Sequence, residues 1–141
     1  MSPEEALERL DKALKENQNL KVVGIAGPGE SLANDSTFKT LKLIDEKYPD
    51  LLKCLSTNGL LLKEKANELA DLGVKTVTVT VNALDEKIAE KIYSWINFDK
   101  QILKGQDAAR KLIDKQWEGI LEAKRAGMLV KLNSVLIPEI N

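Results

Sequence analysis

The chain has 141 residues, 43% apolar and 30% charged, with a formal charge of −1, which suits one globular domain with enough chain for a core. The near-balance of charge leaves no electrostatic footprint for nucleic acid or an anionic membrane, no apolar run is long enough to span a bilayer, and the acidic opening MSPEEALERL is no secretory signal, so a cytoplasmic location is expected. One cysteine and no histidine exclude an internal disulfide, a self-contained zinc site and any histidine-based triad.

Ser2, Pro3 and Glu5 make a helix start: a cap, a proline at the first helical position and a capping-box acid. Leu7, Leu10 and Leu14 share one face, which predicts an amphipathic helix from Met1 to about Asn17. Lys21 to Ala26 is a predicted strand, and its apolar run from Val22 fits a buried strand of a parallel sheet. The run ends in Gly27, Pro28, Gly29 and a lone acid, Glu30. Two glycines around a proline free the backbone to turn sharply and approach a ligand closely. Glu30 stands just past the strand's carboxyl end, where open α/β sheets and barrels place their ligands. An ordinary strand-to-helix turn with a surface acid fits the same letters.

Asn34 to Ser36 caps a second helix with Phe38, Leu41, Ile44 and Tyr48 as its stripe, stopped by Pro49. Leu51 to Thr57 is the next strand. The Asn58–Gly59 pair that follows is a frequent hairpin closer, but a helical pattern comes after it (Leu62, Ala66, Leu69, ending at Gly73), so it reads as a strand-to-helix loop. Val74 to Val81, alternating and β-branched, is the clearest strand. Asp85 caps a short helix through Ile92. Tyr93 to Gly105 holds three of the six aromatics and reads as irregular, either a lid over a cavity or a packed excursion, with Trp95, Ile96 and Phe98 favouring packing. Asp107 to Ala126 is a long helix with Ala109, Leu112, Ile113, Ile120 and Ala123 inward, and Met128 to Ile137 is a final strand stopped by Pro138.

Helices and strands alternate, which means parallel βαβ units with right-handed crossovers. Four strands form either a small open sheet or an arc of a larger barrel. The strands are two-faced. Cys54, Ser56 and Asn58 share a face; so do Thr76, Thr78, Thr80 and Asn82, with Val77, Val79 and Val81 opposite; so do Lys131 and Asn133, with Val130 and Leu132 opposite. One side of the sheet is therefore apolar and helix-covered. The other is polar, increasingly so toward the carboxyl ends at Asn58, Asn82 and Asn133. That pattern fits a two-layer sheet with one face in water, or a cavity lined by small hydrogen-bonding groups for a polar small molecule.

GIAGPGE with Leu32, Ala33 and Asn34, then CLSTNGL, TVTVNA, YSWI and VKLNSVLIP, together resemble the radical S-adenosylmethionine (SAM) enzymes, specifically those that assemble the nitrogenase cofactor. Singly these motifs are weak; their order and spacing are specific. The resemblance implies a partial (β/α) TIM-type barrel, reductive cleavage of SAM at a 4Fe–4S cluster, and construction of the iron–molybdenum cofactor precursor by methylation, carbide insertion and cluster fusion. It implies that Gly27, Gly29 and Glu30 form the glycine-rich SAM motif, with Glu30 accepting from the SAM amino group. Ser56 and Asn58 would contact SAM, Asn82 and Asn133 would lie nearby, and Cys54 would ligate an iron–sulfur cluster that is a substrate; without the resemblance, Cys54 reads as a buried small hydrophobe, the usual state of a free cysteine. Ser31 replaces a proline common after the acid.

The family's CxxxCxxC motif and the histidine and cysteines of its other cluster sites are not in these letters. The chain is therefore expected to be an internal part of the core, residues 1–141, running from the first helix to the fifth strand of the barrel and inactive alone. Its open edges would invite self-association or a complementing chain. Two rivals from other classes fit less of the pattern. One is a non-enzymatic α/β domain binding a small molecule or partner. The other is a flavodoxin-like receiver, which lacks its acid cluster at the first strand.

Overall fold

Capping chemistry sets where the helices begin in the computed structural model, which describes residues 1–141. Ser2 Oγ accepts from the Glu5 N–H at 3.2 Å while the Ser2 N–H donates to the Glu5 carboxylate at 2.7 Å, opening α1 (Pro3–Glu16) with a reciprocal box. Asn34 caps α2 (Asp35–Lys47), and Asp85 caps α4 (Glu86–Ile92) by accepting from two backbone N–H groups. Between α2 and α4 come β2 (Leu52–Thr57), α3 (Leu62–Asp71) and β3 (Val74–Thr80). Gly73 turns the chain from α3 into β3 at φ +76°, as the sequence predicts. With β1 (Val22–Ile25) before them, and α5 (Gly105–Arg125) and β6 (Leu129–Asn133) after, these elements complete the main frame.

The main sheet is parallel in the order β1-β2-β3-β6. Strand order follows chain order without reversal, so the right-handed crossovers all lie on one face. A doubly wound sheet reverses its order and carries helices on both faces. The arrangement seen here is that of an arc of a (β/α) barrel, as expected.

The core lies between sheet and helices. Leu55, Val77 and Val79 of the strands pack with Leu41 of α2, Leu62, Ala66 and Leu69 of α3, and Ile120 and Ala123 of α5. On the opposite face Cys54, Ser56, Thr76, Thr78 and Thr80 are only half-buried, and Lys131 and Asn133 are exposed. The register places Cys54 beside Thr76, Ser56 beside Thr78, and Thr80 beside Asn133, so the polar residues do share one face. α3 and α5 approach closely because Gly119 has no side chain: a Cβ there would stand 2.7 Å from Leu62 Cβ.

Four elements differ from expectation. β1 is not a buried strand: it lies at the edge of the sheet, none of its residues is buried, and Val22 is exposed. Tyr93 to Gly105 is not irregular but contains an antiparallel hairpin, β4 (Trp95–Phe98) and β5 (Gln101–Lys104). Its turn residues, Asp99 and Lys100, sit at φ 52° and 62°, both positive as a type I′ turn requires. The usual glycine signal for that turn is missing, which hides the hairpin in the sequence. The inward Ile96 and Leu103 pack with Leu60, Ala108 and Leu112 as a second small core, with Phe98 against it; these residues pack as expected, while Trp95 is 58% exposed.

The last strand stops at Asn133 rather than Ile137. Beyond it the chain bonds to the turn after β3 instead of continuing the ladder: Ser134 Oγ donates to the Val81 carbonyl at 2.5 Å and the Val135 N–H donates to Asn82 Oδ1 at 2.9 Å. Finally, Ser31–Ala33 forms a short 3₁₀ turn, capped by the side chain of Glu30.

Candidate functional site

At the carboxyl ends of β1, β2 and β3 lies an open cavity of about 400 Å³ lined by Ala26, Gly27, Pro28, Gly29, Glu30, Ser56, Thr57, Asn58 and Thr80. Glu30, Ser56, Thr57, Asn58 and Thr80 give it polar side chains beside the bare backbone of Gly27 and Gly29. A second hollow of similar size, about 380 Å³, lies on the helix side between α1, β1 and α2 and is bordered by Leu10, Val23, Ile25 and Ile44. Only the first opens where parallel α/β sheets collect ligands.

Glu30 organises this cavity. Its Oε1 accepts from the Leu32 N–H at 3.0 Å and from Thr57 Oγ1 at 2.6 Å, and its Oε2 accepts from the Asn58 N–H at 2.7 Å. The acid thus ties the turn after β1 to the end of β2. An ionised carboxylate has about four acceptor positions, so three internal bonds leave one, on Oε2, for a cationic donor. Thr57 is fixed in turn: its hydroxyl donates to Glu30 and accepts from the Gly59 N–H at 3.0 Å. Asn58 Oδ1 accepts from the Leu60 N–H at 2.9 Å, which leaves its amide nitrogen for the cavity.

The glycines serve differently from expectation. Neither Gly27 nor Gly29 has positive φ, so the sharp turn does not need them. A Cβ at either position would meet nothing within 4 Å. Neither backbone strain nor crowding demands glycine there; what the pair provides is bare backbone and free volume at the cavity wall, which suits close approach of a ligand.

Of the residues singled out from the sequence, Gly27, Gly29, Glu30, Ser56 and Asn58 come together here. Cys54 lies two residues before Ser56 on the same open face, half-buried, outside the cavity lining. Its Sγ lies over Gly24, 3.1 Å from where a Cβ would stand. Asn82 is not in this cavity. Its side chain holds the Val135 N–H, and it borders a neighbouring hollow with Leu84, Trp117 and Leu132. Asn133 pairs beside Thr80 on β6 and stays exposed, also outside the lining. Thr57 and Thr80 line the cavity and were not among the expected site residues. Thr80 carried a signal, since it sits on the polar face of its strand; Thr57 lies on the opposite parity and carried none.

A third hollow of about 400 Å³ adjoins the first, sharing Glu30 and Asn58 and walled by Leu60, Leu61, Tyr93, Trp95, Ile96 and Leu112. Burial raises the Tyr93 phenol above its ordinary range, with the neighbouring Asn82 opposing the shift.

The profile of the radical SAM superfamily matches residues 1–141. The chain belongs to the radical SAM superfamily. Relatives named FeMo cofactor biosynthesis protein NifB are found in Methanocaldococcus infernus, 55% identical over 141 residues, and in Methanocaldococcus jannaschii, also 55% identical over 141 residues. Both matches cover all of this chain and 47% of the relative. The protein of that name in Klebsiella pneumoniae is 49% identical over 142 residues, covering all of this chain and 30% of its own length. The chain thus spans about half the length of the Methanocaldococcus relatives.

Radical SAM membership carries SAM and a 4Fe–4S cluster as the family's cofactors. The cavity fits the first: it is roomy, has bare backbone at two glycines, and offers hydroxyl, amide and carboxylate groups. The side chains do not fit the second. Cys54 is the one thiol, and no three His, Cys, Asp or Glu groups are arranged around a common point to hold a metal, whereas such clusters take several thiolates.

Proposed function

We propose that residues 1–141 form part of a NifB-type radical SAM core and contribute its SAM-binding wall. The observation that carries this reading is the polar cavity bounded by the Gly27–Pro28–Gly29–Glu30 turn and the ends of β2 and β3. The remaining acceptor position on Glu30 suits the SAM ammonium, as a charge-assisted bond. Ser56 and Thr80 offer hydroxyls, and Asn58 an amide, to the amino-acid and ribose portions. The bare backbone at Gly27 and Gly29 lets the ligand lie against the turn. In the family, SAM supplies a 5′-deoxyadenosyl radical on reductive cleavage at a 4Fe–4S cluster. The role we assign to the longer protein is construction of the nitrogenase cofactor precursor by carbide insertion and cluster fusion, with iron–sulfur clusters as substrates and Cys54 as one of their ligands.

One thiol supplies one cluster ligand, so the 141-residue chain by itself makes no deoxyadenosine. Equilibrium dialysis of the chain with labelled SAM tests the binding reading. Saturable binding that Glu30→Gln weakens by about tenfold, the scale of one charge-assisted bond, supports it; no saturable binding by the unaltered chain sinks it. Anaerobic iron–sulfur reconstitution followed by a deoxyadenosine assay tests the second statement, and product from the isolated chain would overturn it.

A further inference from the structure

Gln116 lies in the apolar stripe of α5, between Leu112 and Ile120, and is 2% exposed. A buried amide without partners is costly, and here every donor contact goes to one place. Its Nε2 donates to the Asn58 carbonyl at 2.7 Å and to the Thr80 carbonyl at 2.9 Å.

These two carbonyls occupy a particular position. The last residues that β2 and β3 pair with each other are Thr57 and Val79, so Asn58 and Thr80 are the next step of that register, Thr80 pairing onward only with Asn133 of β6. There the backbone ladder ends and the Gln116 amide takes over, joining the strand ends from the helix side. The chain then turns directly over its stem: at Gly59, φ +85°, an added Cβ would stand 3.0 Å from Gln116 Cγ. Asn58 is consequently held through both backbone groups, its N–H by Glu30 and its carbonyl by Gln116.

We propose that Gln116 is a positioning residue of the candidate SAM site, setting the separation of the carboxyl ends of β2 and β3 and so the placement of Asn58 and Thr80 at the cavity. It reaches no ligand itself. The proposal rests on the reading of the cavity as a SAM site, but its mechanical part stands on the two bonds alone.

The test compares Gln116→Met, which keeps length and removes both donors, with Ile120→Val, a core change on the same helix away from the cavity. Three quantities are measured on the 141-residue chain: the urea midpoint, labelled-SAM affinity, and amide hydrogen exchange at Gly59, Leu60 and Val81. Gln116→Met is expected to speed exchange at these three amides and weaken SAM about tenfold, the scale of two neutral hydrogen bonds. Ile120→Val should lower the urea midpoint while leaving affinity and local exchange unchanged. Gln116→Leu, which also lacks donors and suits the apolar stripe of α5, should match Gln116→Met and replaces it if that variant does not fold. Affinity and local exchange no more altered than in Ile120→Val overturn the proposal. If the unaltered chain binds no SAM, the ligand reading falls and exchange alone decides. Faster exchange at Gly59, Leu60 and Val81 upholds the clamp, and unchanged exchange overturns it.

Discussion

Glu30 Oε1 lies 2.6 Å from Thr57 Oγ1, and this bond joins the turn after β1 to the end of β2 across 27 residues of sequence. Thr57 is 4% exposed, and its oxygen also accepts from the Gly59 N–H. Thr57→Val keeps the shape but leaves that N–H without its acceptor. The expected cost is about 1–3 kcal/mol in urea denaturation, whereas Thr57→Ser should stay within about 1 kcal/mol. Equal stability of the valine and serine variants would show that the bond contributes nothing.

Lys53 points into the helix layer, its side chain 1% exposed, and meets Asp45 of α2 at 2.7 Å. Asp45 is 39% exposed, so the pair is buried at one end and wet at the other. Removing the acid strands a buried charge, while replacing the lysine by an apolar chain of similar length removes the charge with it. Asp45→Ala should therefore cost about 3 kcal/mol and Lys53→Met no more than about 1 kcal/mol. The check is chemical denaturation of both variants, and the reverse ranking would contradict the argument.

The β4–β5 turn carries a correctable strain. Lys100 sits at φ 62° without being glycine. Lys100→Gly removes the Cβ penalty of the left-handed region and offsets it partly by added freedom in the unfolded chain. A net gain of about 0.5–1 kcal/mol is expected from thermal or urea unfolding. A loss would mean that the turn does not have this conformation in solution.

Asp11 of α1 accepts from Lys47 Nζ at 2.5 Å and Tyr48 Oη at 2.7 Å, tying α1 to the end of α2. The Lys47 bond, then the Tyr48 bond, hold the Asp11 carboxyl below its ordinary 3.8. A carboxyl depressed on folding contributes stability that is present above 3.8 and lost as pH falls through the lower folded value. The thermal midpoint of Asp11→Asn should therefore lie below that of the unaltered chain at neutral pH, with the gap closing as pH drops under 3.8. A gap that stays constant with pH would remove Asp11 from the acid response.

Local chemistry is what the letters expressed on their own. Ser2 with Glu5, Asn34 and Asp85 announce helix starts because a cap needs only a side-chain acceptor two or three residues before the orphan N–H. The two-faced strands follow from the period of two, and the GPGE turn with CLSTNGL marked the right end of the sheet. Tertiary structure decided which polar residues meet. Asn82 shares the polar parity of Thr80, yet the Val135 N–H captures it and Thr80 takes the place at the cavity. Thr57 and Gln116 have partners 27 and 58 residues away, Lys53 is buried on an acid of the preceding helix, and a glycine-free turn folds the β4–β5 hairpin. A side chain's partner across the fold depends on strand stagger and on competition among all the donors and acceptors that packing brings within 3 Å or so, and neither is written in any local stretch of the chain.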